Sequence, residues 1–270
     1  MDEVHPLRFA GQLGIARLYH YEKFCHDYLL ETLRAQKIHC SSPANLNDPW
    51  DCRPAFNSRS LRNPEDFERT MAHFYRHATS PPPPGWEAYE ASLRDDPNQQ
   101  EQFLLSQSNA ASDEIAERRI YCLTPKSNST LMWSHYAQKH RGICLEFGVD
   151  NPLFRHAIQV VYLRRYPSFI AHEFEAKPER TIDMIRTKAR AWRYEKEFRL
   201  IGGPSRQEGD HLRTHDDFFS LPPGSLKSVI AGCAADYDAV SAIVKSYNPN
   251  LPVKRAVRAP DHYRLKIAEC

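Results

Sequence analysis

The chain has 270 residues, with 36 Lys+Arg against 34 Asp+Glu and a net charge of +2 when its 13 histidines are neutral. That balance excludes a basic nucleic-acid coat and an acidic disordered tail, and a chain of this length buries enough surface to fold without disulfide or metal staples. No run approaches the ~18 apolar residues of a membrane span, Met1-Asp2-Glu3 does not open a signal peptide, and seven cysteines without a C-x-x-C pair suggest neither a disulfide framework nor a zinc ribbon, so a soluble cytoplasmic protein with no membrane partner is expected.

The first element is a strand, Ile15 to Tyr21, rich in aromatics and preceded by Gly14. A helix follows, with Phe24, Tyr28, Leu29 and Leu33 at spacings of three and four. A second strand, Lys37 to Ser41, runs through Ser42 and Pro43 into the turn-forming loop Asn45-Leu46-Asn47-Asp48-Pro49-Trp50-Asp51. Residues 60–118 are predicted as a helical insertion or lid, interrupted by Pro81-Pro82-Pro83-Pro84-Gly85, which reads as a polyproline connector. Strands are then expected at 120–123, 143–147 and 159–163, with a helix from Thr130 to Lys139 capped by Ser129. A basic helix, 180–193, leads into a strand over 195–201. Strands at 218–221, 226–231 and 253–257, with a helix near 236–247, complete the chain. Many short strands with few helices between them predict a single α+β domain on a small mixed or antiparallel sheet.

Four segments carry candidate chemistry. In Trp192-Arg193-Tyr194-Glu195-Lys196-Glu197-Phe198-Arg199, an extended backbone puts Glu195, Glu197 and Arg199 on one face. Two carboxylates so close repel unless a cation covers them, and Arg199 can grip one bidentately and leave the other to work. In the loop, Asp48 before Pro49 is held extended and Asp51 follows Trp50, either as a turn stapled by a buried Trp50 or as a binding loop. In Met132-Trp133-Ser134-His135-Tyr136, helical spacing places Trp133, Tyr136 and His140 on one face, as core or as a stacking platform, with His135 off it. Tyr19-His20-Tyr21 adds a histidine at the end of the first strand, either core or a ligand anchor.

Taken together, Leu18-Tyr19-His20-Tyr21, Ser42-Pro43, Asn47-Asp48-Pro49-Trp50-Asp51, Met132-Trp133-Ser134-His135-Tyr136, Gly142 to Phe147, and Trp192 with Glu195 to Arg199 resemble an uncharacterised bacterial family known as domain of unknown function number 2971. The resemblance extends over about residues 15–232 and implies no activity. A more distant likeness is to ADP-ribosyltransferases, whose fold splits a small mixed sheet around NAD. That likeness implies NAD as substrate and an unknown macromolecular acceptor. It implies catalytic Glu197 assisted by Glu195, and a nucleotide site from His20, Tyr21, Ser41, Ser42, Tyr136 and Arg199. The chemistry suits these residue types: breaking the nicotinamide–ribose bond builds positive charge on the ribose, which a fixed carboxylate stabilises. NAD phosphates need cations, and Lys177 to Arg199 holds eight Lys/Arg against four Asp/Glu. The Ser42-to-Glu195 interval is longer than a compact transferase requires.

Two other readings stay open. Asp48, Asp51, Glu195 and Glu197 suit a divalent-metal nuclease or nucleotide hydrolase, although Lys196 points away from both glutamates and nucleic acid is not the favoured partner. Alternatively Trp133, Tyr136 and the N-D-P-W-D loop form the face of a non-enzymatic binding module. No H-E-x-x-H, Walker loop, G-x-G-x-x-G or G-x-S-x-G is present. The sequence names neither the acceptor nor the setting, whether phage defence, toxin or housekeeping.

Overall fold

The computed structural model describes residues 5–77, 81, 84–173, 180–204 and 212–270. Pro82 and Pro83 of the expected connector, and Lys177 of the basic stretch, lie outside them. The protein is α+β, and its chain gathers into two compact units. One takes Leu46–Glu117 and Val161–Arg190; the other takes Val4–Asn45, Arg118–Val160 and Ala191–Cys270. The predicted helical insertion therefore lies in a unit that also includes a second excursion of the chain.

The larger unit is built on a five-stranded mixed sheet, in the order Arg17–Glu22, Ile143–Gly148, Leu226–Ala231, Val253–Arg258 and Leu265–Glu269. Only the Leu226–Ala231 and Val253–Arg258 neighbours run parallel. All six residues of Ile143–Gly148 are buried, which explains why that strand reads as an apolar run rather than an alternation. Leu18, Leu145, Phe147 and Val229 face one core, while Tyr21, Cys144 and Ile230 face a second with Trp133. The one carboxylate in Ile143–Gly148, Glu146, accepts from Ser228 Oγ at 2.5 Å and pairs with Lys254 Nζ at 3.1 Å. Burial pushes its pKa up, and those bonds overcome it to hold the carboxyl below its ordinary value.

A second, antiparallel sheet has the order Arg119–Leu123, Phe198–Gly202, Ile158–Gln159. It meets the first sheet at the bridge between Tyr19 and Thr124, with main-chain bonds of 2.7 and 2.9 Å. A third small sheet joins Lys37–His39 to Phe218–Ser220 and Thr214–His215.

The smaller unit holds the helices Pro64–His77, Trp86–Asp95 and Pro97–Ala116, packed on Leu61, Phe67, Met71, Leu93 and Phe103. Asp96 caps the last of these by accepting from the amides of Asn98 and Gln99, and Pro97 supplies a first-turn residue that needs no donor. Two short parallel pairs, Ala55–Phe56 with Ser168–Phe169 and Val161–Leu163 with Thr187–Ala189, complete it.

Several predicted elements differ. The helix from Thr130 ends at His135, because Gln138, Lys139 and His140 all adopt left-handed backbone, with φ of 49°, 54° and 68°. The basic helix ends at Arg186, where the chain turns extended to pair with Val161–Leu163. The strand expected from Glu195 begins only at Phe198.

Candidate functional site

The strand Arg119–Leu123 and the next residue, Thr124, form a hub. One edge of the strand pairs with Phe198–Gly202, setting Arg199 opposite Cys122. Its other edge receives Ser41, whose amide and carbonyl exchange 2.9 Å bonds with Ile120. His20 Nδ1 bonds the Cys122 carbonyl at 2.7 Å, and its ring stacks on Tyr121 at 4.1 Å. Thr124 Oγ1 donates to the Glu195 carbonyl at 2.6 Å. Four residues from three distant segments thus attach within the five positions 120–124. Alternation along the hub strand separates them by face: Tyr121, with His20 stacked on it, points to the apolar core, whereas Cys122 and Arg199 occupy the opposite side.

A carbonyl can only accept, so His20 Nδ1 carries the proton and Nε2 is left as the acceptor. Burial lowers the His20 pKa to about 4, so the ring is neutral at pH 7.

Glu195 and Glu197 do not share a strand face. Glu195 ends a 3₁₀ helix, Arg190–Glu195, and Lys196 has φ of 49°, which breaks the extended run before Phe198. Both carboxylates are buried. Arg199 holds Glu197 bidentately, Nε to Oε1 at 2.7 Å and Nη2 to Oε2 at 3.2 Å. Glu195 Oε1 accepts from the Tyr136 hydroxyl at 2.5 Å. Tyr136 follows the helix that ends at His135, so it does not extend a helical face shared with Trp133 and His140.

The other aromatic candidates direct their polar atoms to the preceding loop. Tyr21 donates to the Lys126 carbonyl at 2.7 Å and Trp133 Nε1 to the Ser127 carbonyl at 2.9 Å, with the two rings edge-on at 5.0 Å. His135 is exposed, 6.3 Å from the Tyr194 ring. Ser42 Oγ accepts from the Ala44 amide at 3.2 Å and so caps the turn through Pro43.

The N-D-P-W-D loop belongs to the smaller unit. Asp48 and Asp51 are buried, and Asp48 Oδ1 accepts from the Trp50 amide at 3.0 Å, closing an Asx turn. Trp50, expected as a buried staple if the loop is only a turn, is instead 62% exposed, because the turn's polar bonds and not its ring hold the loop. Asp51 pairs with the buried Lys188 at 3.9 Å. Among the described residues no group of three or more His, Cys, Asp or Glu is placed to hold a metal ion.

The family model described as "Protein of unknown function (DUF2971)" matches residues 132–200. The chain is similar to that family from the Met132 helix through Glu195, Glu197 and Arg199, while the N-D-P-W-D loop falls outside the match. No curated protein and no solved structure matches the chain. Among the described residues, no helix is long and apolar enough to cross a membrane. Sequence reasoning missed the hub residues Cys122 and Thr124, which act through a carbonyl and a hydroxyl that no motif marks. It also missed Arg53, Arg164, Arg165 and Tyr166, although Arg164-Arg165-Tyr166-Pro167 after a strand is a readable signal.

Proposed function

We propose that the protein is an ADP-ribosyltransferase-like enzyme that takes NAD as substrate, cleaves its nicotinamide–ribose bond and passes ADP-ribose to a macromolecular acceptor. The observation that carries this reading is the convergence of His20, Ser41, Glu195 and Arg199 on residues 120–124, at the place where two sheets meet through a single bridge. The order of these elements in the chain, histidine strand, serine strand, glutamate segment, is that of the transferases the sequence resembles.

The arrangement divides the work between the glutamates. Glu197 is neutralised by Arg199 in a buried bidentate pair, so it positions the segment. Glu195 is assigned the charge-stabilising role. The Tyr136 hydroxyl bonds its carboxylate in the way a ribose 2′-hydroxyl would, and substrate binding would displace that hydroxyl. As the nicotinamide leaves, positive charge grows on the ribose, and a carboxylate held in a low-dielectric setting stabilises it.

The test is release of nicotinamide from NAD by the purified chain, followed chromatographically with a cell extract as acceptor source. Glu195→Gln keeps the shape and removes the charge, so release is expected to fall on the order of a hundredfold or more with the fold intact. Glu197→Gln is expected to act first on stability, by about 3–5 kcal/mol, since it removes the charge that the buried Arg199 holds bidentately. No release by the wild type, or equal release by Glu195→Gln, rejects the proposal. Intact NAD bound without turnover would mark a binding module instead.

A further inference from the structure

The smaller unit contains a cavity of about 200 Å³ beside the N-D-P-W-D loop, with an apolar floor that includes Phe169 and Met184. Among the described residues its wall carries Arg53, Arg164, Arg165 and Lys188 and no carboxylate. Among the described residues the three arginines form no ion pair, and all three are exposed; Lys188 is buried and faces Asp51. Two aromatic residues also line it, and both are exposed, Trp50 by 62% and Tyr166 by 44%. The Trp50 position is not a loose accident, since its amide is fixed to the buried Asp48 carboxylate. A chain of net charge only +2 has here gathered cations around a small recess and left two large rings exposed.

We propose that this cavity binds a nucleotide unit, with the base against Trp50 and Tyr166 and the phosphates on Arg53, Arg164 and Arg165. The residue types follow from the ligand. Every nucleobase has a π-face that stacks on an aromatic ring, whatever its edge pattern. Guanidinium groups match phosphate oxygens bidentately, and three unpaired ones on the wall leave an excess of positive charge for an anion to satisfy. The recess has room for a ring, not for a folded peptide. The Tyr166 hydroxyl makes no hydrogen bond among the described residues, and burial, with Arg53 opposing and Asp48 and Asp51 adding, pushes its pKa up to about 12. It therefore stays protonated and donates to a base edge or a phosphate.

The same chemistry is offered by a free nucleotide and by one unit of a single strand, and calorimetric titration of the full chain separates them. The probes are ADP and an adenylate hexamer, each at low and at physiological salt. Saturable binding is expected for at least one, weakened about tenfold or more by Trp50→Ala and by the Arg164→Gln, Arg165→Gln double variant. All three positions are exposed, so equal melting temperatures check that each variant is folded. Binding of ADP with no gain for the hexamer identifies a free nucleotide. Tighter hexamer binding that falls steeply with salt identifies a strand. No binding of either probe by the wild type, or undiminished binding by the variants, overturns the proposal. The site does not rest on the transferase reading, since none of the residues that line it has a role in that reading.

Discussion

His20 and Glu22 stand two residues apart on one strand, with Nε2 3.8 Å from Oε2. Burial acts oppositely on their protonation, lowering the His20 pKa to about 4 and raising that of Glu22 to about 8. At neutral pH both are uncharged, so the contact is not an ion pair. The consequence is a stability profile with two opposing slopes. Between pH 4.5 and about 8 the unfolded chain has lost the Glu22 proton and the folded chain keeps it, so stability falls as pH rises. Between about pH 4 and 6.5 the unfolded chain has gained the His20 proton and the folded chain has not, so stability falls as pH drops. Urea unfolding across pH is expected to show the alkaline slope flattened in Glu22→Gln and the acid slope flattened in His20→Gln. Unchanged slopes would show that neither group is shifted. At this scale the sequence was partly legible. Glu195, Glu197, Arg199 and Tyr136 could be chosen by type, and they are bonded in pairs in the structure. Their pairing could not be chosen, because it depends on a single left-handed residue, Lys196, that nothing in its chemistry announces.

Among the elements, the turn from Ala137 to Gly142 shows how local sequence yields to tertiary fit. Three consecutive non-glycine residues in left-handed backbone cost roughly 1–2 kcal/mol each, and the fold holds them by seating the turn against residues 232–234. Ala234 N donates to the His140 carbonyl at 3.0 Å, and Gly232 N to the Gly142 carbonyl at 3.0 Å. Only glycine fits at 232, since a Cβ there would lie 2.2 Å from the His140 carbonyl oxygen. Gly232→Ala is therefore expected to destabilise by about 3 kcal/mol or more, because the obstacle is backbone rather than a movable side chain. A thermal midpoint unchanged in Gly232→Ala would mean that the turn is not locked. The strand 143–147 and the second half of 226–231 were readable because burial on two faces demands an apolar run. The helix over 130–139 was overextended because the turn that stops it is imposed by Gly232 and Ala234, nearly a hundred residues away. The predicted 159–163 strand proved to be two, with Val160 between them donating to the Glu197 carbonyl at 3.0 Å.

On the scale of the whole chain, the division into two units was not legible, because each unit is discontinuous in sequence and no linker composition marks the crossings at 45–46, 117–118, 160–161 and 190–191. What composition did convey is the near balance of charge, and the structure shows how that charge is distributed. Exposed pairs such as Arg69–Glu65, with side chains 60% and 73% exposed, contribute little to stability and are screened by salt. Arg199–Glu197 and Lys188–Asp51 are almost fully enclosed, where mobile ions screen them far less. The apolar cores of the two units, rather than surface ion pairs, should then carry the stability. Raising sodium chloride from low to several-hundred millimolar is expected to move the thermal midpoint little, while binding of a phosphate-bearing probe to the arginine-lined cavity weakens over the same range. A drop in midpoint of more than about 5 °C, roughly 2 kcal/mol for a chain of this size, would instead show that exposed ion pairs hold the fold. It would also remove the reason for treating the unpaired arginines of the cavity as positioned for a ligand, since surface charge would then be serving stability throughout.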